Sequence, residues 1–212
     1  MFVHDLTIVS TLSLPFLLSE PRREGTGPRP LLCFLHGLGE GPPTEIYAGM
    51  TAHGPLKPGS SHLATEQFIV VAPQLPARGD LWQHHAQSVC EIVSYVQSSY
   101  GGDHGRTYLT GFSFGGDGVF DVALHDSSLW AALWPVDPTR VPQSDPCLPV
   151  WLSSGEASRP NRSRFIERLR LRLPGNGADD RVYYDEGLDH VGTATSAFKS
   201  DRVYNWLLSK QI

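Results

Sequence analysis

An α/β architecture with a mostly parallel central sheet is what this 212-residue sequence predicts, and two observations carry the prediction. Short apolar runs recur along the chain, most of them closed by Gly or Pro: LLCFLHG (31–37), FIVVAP (68–73), RTYLTG (106–111), AALWPV (131–136), LPVWLSSG (148–155) and RVYYDEG (181–187). Runs that stay apolar, without a regular polar alternation, suit strands covered on both faces. Between them lie segments of helical length and period at 82–100, 115–125, 161–173 and 201–210. Such alternation places helices on both sides of a parallel sheet and gathers functional groups at the carboxyl ends of the strands.

The elements follow in order. Residues 2–18 alternate well enough for one or two strands, and the polar SEPRREGTGPRP after them is a surface turn. The N-terminal stretch is apolar, yet it lacks a basic leader region and carries His4 and Asp5 inside the run, so it is read as strands and not as a secretory signal. The excursion at 39–67 is rich in Pro and Gly and is expected to form an irregular wall beside a pocket. Only DPTRVPQSDPC separates the two strands after the 115–125 helix, so no cap domain fits there.

Composition narrows the function. With 40% hydrophobic and 18% charged residues, one domain spanning 1–212 can bury a full core. A net charge of -5 and a pI near 6.0 supply no basic footprint for nucleic acid or an anionic membrane, and no stretch approaches a transmembrane span. A small-molecule substrate is the expected partner. Cys33, Cys90 and Cys147 are odd in number and widely spaced, without a CxxC pair or a histidine cluster, which indicates neither a disulfide framework nor a zinc site. No metal and no cofactor are expected, and a reducing, cytoplasmic setting fits.

Three sequence elements carry chemistry. Ser113 lies in GFSFG between a predicted strand and a predicted helix, the context in which G-x-S-x-G places a serine on a sharp turn. Side chains at Gly111 and Gly115 would collide with each other and with the neighbouring strand. The second element is FLHGLGEG, whose turn can present the Leu38 amide as one oxyanion donor while the Phe114 amide supplies the other. His36 is read as orienting this loop. The third is DEGLDHVGTATSAF, which sets His190 in a loop after the last predicted strand; an imidazole is the group suited to take the serine proton. Trp82, with Leu38, is expected either to form an apolar rim for the substrate or to pack on the surface. For Asp117, in the first turn of the 115–125 helix, the helix dipole gives a sufficient account.

Together LCFLHGLGEGPP, FIVVAPQLP, LTGFSFGGDGVFDVAL and GLDHVGTATSAFKSDRVYNWLLSKQ resemble the α/β-hydrolase superfamily, in its small single-domain branch of carboxylesterase, phospholipase/carboxylesterase-like and polyhydroxybutyrate-depolymerase or feruloyl-esterase-like proteins. The resemblance implies a Ser-His-acid triad, no cofactor, and cleavage of an ester, thioester or peptide-like bond. It also implies an acid after the penultimate strand, where this chain has SSGEASRPNRS with Ser158 at the matching position. Asp137, in LWPVDPTR at the end of the preceding strand, resembles the acid-bearing segment of pancreatic-lipase-like enzymes and ranks first; its competing reading is a plain Asp-Pro turn. Glu156 ranks second, and Asp189 adjoins His190 too closely to reach it. Serine hydrolysis of an ester or thioester leads, with an acyl transferase or cyclase on the same fold, or a catalytically silent binding protein, as alternatives.

Overall fold

The computed structural model describes residues 6–21, 27–155, 162–173 and 180–212. Eight strands, β1 (Leu6–Val9), β2 (Phe16–Ser19), β3 (Arg29–Leu35), β4 (Ile69–Pro73), β5 (Gly102–Phe112), β6 (Ala132–Val136), β7 (Val150–Ser154) and β8 (Arg181–Asp185), form one sheet in the order β1-β2-β4-β3-β5-β6-β7-β8. β1 pairs with β2 and β2 with β4 in antiparallel register, and every pairing from β4 across to β8 is parallel. The helices are α1 (Ile46–Met50), α2 (Leu63–Gln67), α3 (Ala86–Tyr100), α4 (Phe114–His125), α5 (Arg162–Leu169), α6 (His190–Lys199) and α7 (Asp201–Leu208).

The uninterrupted apolar strands follow from this layering. Successive strand residues face opposite sides, and the core divides accordingly. Leu31, Cys33 and Leu35 join Val93 of α3, Phe120 of α4 and Phe165 of α5 on one side. Leu32 and Phe34 join Met50 of α1, Phe198 of α6 and Trp206 of α7 on the other. Both sides are closed to water, so neither register position of a central strand tolerates a polar residue without a partner.

Several expectations need correction. The 39–67 segment, expected to be irregular, holds the two five-residue helices α1 and α2. The helix expected from Trp82 begins as a 3-10 turn over Trp82–His85 before α3. His190 does not lie in a loop: it is the first residue of α6, whose amino end is capped by Asp189 accepting from the Gly192 amide at 2.7 Å. Gly192 and the β-branched Thr193 and Thr195 are poor helix formers, and burial of Ala194, Ala197 and Phe198 overrides that local preference. The expected strand start at Phe2 and part of the 19–30 turn lie outside the described residues. No helix among the described residues is long and apolar enough to cross a membrane.

Phe198 is the keystone of the second layer, with its ring centroid 5.7 Å from Phe34 and 4.8 Å from Trp134. Phe198→Ala should lower the unfolding free energy in a urea titration by about 3–5 kcal/mol, with an unchanged m-value.

Candidate active site

The carboxyl ends of β3, β5, β6 and β8 lead into the turns that carry the candidate residues. Ser113 follows β5 and precedes α4 with φ 59° and ψ -118°, a conformation that costs a non-glycine residue about 1–3 kcal/mol. Packing holds it there. The Ser113 amide donates to the Val136 carbonyl at 3.0 Å, and its own carbonyl accepts from the Asp117 amide at 3.1 Å. A Cβ on Gly111 would stand 2.2 Å from the Gly115 carbonyl oxygen, and one on Gly115 only 1.9 Å from that of Leu35. Strand, turn and helix therefore meet backbone to backbone, and the hydroxyl is lifted above the sheet.

His190 reaches the serine from the first turn of α6. Its Nε2 lies 2.9 Å from Ser113 Oγ, and its Nδ1 lies 2.5 Å from Asp137 Oδ2. With Nδ1–H donating to the carboxylate, Nε2 presents its lone pair to the hydroxyl, the tautomer that proton abstraction requires. Asp137 is fully buried and sits at φ 44°, in a left-handed turn that Asp tolerates better than most residues. Its amide donates to the Ser153 carbonyl at 2.7 Å, and its Oδ1 accepts from the Gly155 amide at 3.1 Å and the Ser154 hydroxyl at 3.3 Å. Ser113, His190 and Asp137 thus form one hydrogen-bonded chain. Glu156 lies outside the described residues; Asp189 spends its carboxylate on the cap of α6.

The turn after β3 passes directly beside the serine, since a Cβ on Gly37 would lie 3.5 Å from Ser113 Cβ. Leu38 is exposed at its tip, and the Phe114 amide is the first of α4, which the helix ladder leaves without an intrahelical acceptor. His36 is locked underneath. The Leu75 amide donates to its Nε2 at 3.0 Å, so the ring proton sits on Nδ1, 2.7 Å from the Gly37 carbonyl. Both ring nitrogens are thereby committed to holding the turn.

Trp82 requires correction. It is 2% exposed, so it neither rims a pocket nor packs on the surface. Its Nε1 donates to the His36 carbonyl at 3.0 Å, and its ring fills the space beside Gly118, where a Cβ would fall 2.6 Å from Trp82 Cγ. Trp82 is a wedge that spaces the β3 turn from α4. Among the described residues, the exposed apolar side chains include Leu38 and Leu81 on turns after β3 and β4, Leu188 ahead of α6 and Val191 in its first turn.

Three polar residues near the site escape sequence reasoning, and a fourth, Asp117, is not accounted for by the helix dipole alone. Gln74 donates to the Glu40 and Thr44 carbonyls at 2.8 and 2.9 Å and so fixes the far side of the β3 turn. The Glu40 carboxylate lies 3.8 Å from His36 Nδ1 and 3.7 Å from His53 Nε2, and its Oε2 is buried without a hydrogen-bond partner among the described residues. Burial pushes the His53 imidazole below its ordinary pKa, and its ring centroid lies 4.9 Å from that of Phe112 at a tilt of 55°, while Phe112 in turn lies 4.6 Å from His190. Asp117 holds the turn after β6. Of these, only the QLP string after β4 offered a visible signal, a polar residue at a strand end.

No protein-family model matches the sequence, and no curated protein does. Solved structures do. A thermostable esterase matches with a TM-score of 0.78 at 21% identity, over 98% of this chain and 63% of its own length. A protein from Klebsiella pneumoniae assigned as a dienelactone hydrolase matches with a TM-score of 0.68 at 16% identity, over 98% of this chain and 99% of that one. FphF, a fluorophosphonate-binding serine hydrolase of Staphylococcus aureus, matches with a TM-score of 0.68 at 14% identity, over 97% of each. The present chain thus spans less than two thirds of the esterase.

The contact at Gly115 gives a sharp expectation. Because a methyl there would overlap the Leu35 backbone and not a yielding side chain, Gly115→Ala should abolish soluble folded protein or lower the unfolding free energy by more than about 3 kcal/mol in chemical denaturation.

Proposed function

We propose that this chain, which has the α/β-hydrolase fold, hydrolyses carboxylic esters or thioesters through an acyl-enzyme on Ser113. The observation that carries the reading is the unbroken hydrogen-bonded chain from Ser113 through His190 to Asp137. In the first half-reaction Ser113 Oγ attacks the carbonyl carbon as Nε2 of His190 takes its proton. The oxyanion faces the Leu38 and Phe114 amides, and the imidazolium then returns the proton to the departing alcohol or thiol. In the second half, water gives a proton to the same nitrogen and attacks the acyl group, releasing the acid and regenerating the hydroxyl. Asp137 keeps the imidazole in its tautomer and balances the transient positive charge without taking the proton.

Access supports hydrolysis over acyl transfer or cyclisation. The His190 side chain is 31% exposed, and the described 137–149 segment carries no helix that could cover it. Water can therefore reach the acyl-enzyme. Leu38, Leu81, Leu188 and Val191 favour substrates with an apolar group beside a small, accessible ester. The completeness of the hydrogen-bonded chain argues against a silent binding protein.

With a short chromogenic acyl ester, Ser113→Ala should remove turnover while thermal unfolding stays cooperative, and a metal chelator should change nothing. Asp137→Asn should lower kcat by roughly 10³- to 10⁴-fold with little change in KM, whereas Glu156→Gln stays near the unsubstituted rate. An exchange of these two effects would move the acid to Glu156. Initial rates should also rise smoothly through the solubility limit of a longer ester, since the described 137–149 segment carries no helix that could open as a lid; an abrupt rise there would contradict the open site.

A further inference from the structure

We propose that Asp117 is a positioning residue: its carboxylate clamps the turn that carries Asp137 against the helix that carries Ser113. The inference rests on the reading of Ser113, His190 and Asp137 as one catalytic unit, and it starts from an oddity in α4. A carboxylate in the first turn of a helix gains from the dipole while remaining solvated, yet Asp117 is only 6% exposed and turned sideways into the protein. Its Oδ1 accepts from the Thr139 amide at 2.7 Å and the Arg140 amide at 3.0 Å, and its Oδ2 accepts from the Thr139 hydroxyl. Even with these bonds, burial pushes its carboxyl above the ordinary carboxylate range. A group held at that cost serves something other than the helix end.

What it serves is a turn that local preference does not hold. Asp137 at φ 44° sits outside the broad allowed regions and must be held from both sides. From one side β7 does so, through the Ser153 carbonyl and the Gly155 amide. From the other side α4 does so with consecutive residues. Gly116 admits close approach, since a Cβ there would lie 3.0 Å from the Val136 carbonyl oxygen and 3.1 Å from Pro138 Cα. Asp117 then fixes the backbone at Thr139 and Arg140, two and three residues beyond the acid. Arg140 closes the seam further along by pairing with Asp121 at 2.5 Å. The helix that presents the nucleophile therefore also sets the position of the acid, and the gap spanned by His190 is measured along α4. Removing the Asp117 carboxylate frees the turn on that side and lets Asp137 drift from His190 Nδ1.

The test compares Asp117→Asn with the unsubstituted protein, Asp137→Asn and Ser113→Ala, using p-nitrophenyl acetate across a pH series and a thermal melt of each. Asp117→Asn should lower kcat about 10- to 100-fold, leave KM within about twofold, and move the acidic limb of the pH–rate profile to lower pH, because an imidazolium that loses its carboxylate gives up its proton more readily. A merely structural role would lower the melting temperature without moving that limb. Thr139→Val, which removes one donor and keeps both amides, should act in the same direction by about fivefold and serves if Asp117→Asn does not fold. Unsubstituted kcat and acidic limb in Asp117→Asn, or in Thr139→Val where the first variant does not fold, overturn the clamp when Asp137→Asn is inactive. Full activity in Asp137→Asn or Ser113→Ala overturns the catalytic unit and the clamp with it.

Discussion

The site depends on one steric constraint, the direct backbone contact among the ends of β3 and β5 and the start of α4. Gly111 and Gly115 leave no room for a methyl group on either side of Ser113, and that closeness brings the β3 turn alongside the serine. If the helix stood an ångström further out, the turn after β3 would no longer lie in contact with Ser113. The strained φ of Ser113 is a product of the contact. A serine in an open loop would relax to an ordinary conformation and lower its hydroxyl toward the sheet.

Around that contact the chain sets a ring of spacers. Trp82 separates the β3 turn from α4 at Gly118, His36 and Gln74 hold the turn from beneath and behind, and the Asp189 cap fixes the rotation of α6 and so the direction of His190. Each spacer is one or two residues long and comes from a different element. The arrangement explains how short turns can hold Ser113, His190 and Asp137 at hydrogen-bond distances. The precision comes from the sheet, which fixes all their starting points at one edge.

Much of this was legible in the sequence, for a physical reason in each case. The strands announced themselves because strands buried on both faces must be apolar throughout. Ser113 and its flanking glycines were legible because a turn that forbids side chains leaves a fixed string. Asp137 could be ranked because a carboxylate at a strand end lies on the correct rim. The rest was written in contacts between distant residues. Trp82 reads the same whether it lines a pocket or fills a wedge, and only its bond to a carbonyl 46 residues earlier decides. α6 was missed because Gly192, Thr193 and Thr195 in its first two turns are poor helix formers, although Asp189 ahead of Gly192 is a capping residue. His53 lies in no motif, and the strings around Glu40 and Gln74 do not show which groups these side chains meet.

The placement of the acid after β6 bears on how such a chain could diversify. Residues 137–149 connect β6 to β7, and their first four residues are tied to β7 at one end and to α4 at the other. An added segment that began before Arg140 would lengthen the acid-bearing turn itself. One that began beyond it would leave the turn of Asp137 as it is. An insertion that spares this turn is therefore confined to the stretch from Val141 to Pro149.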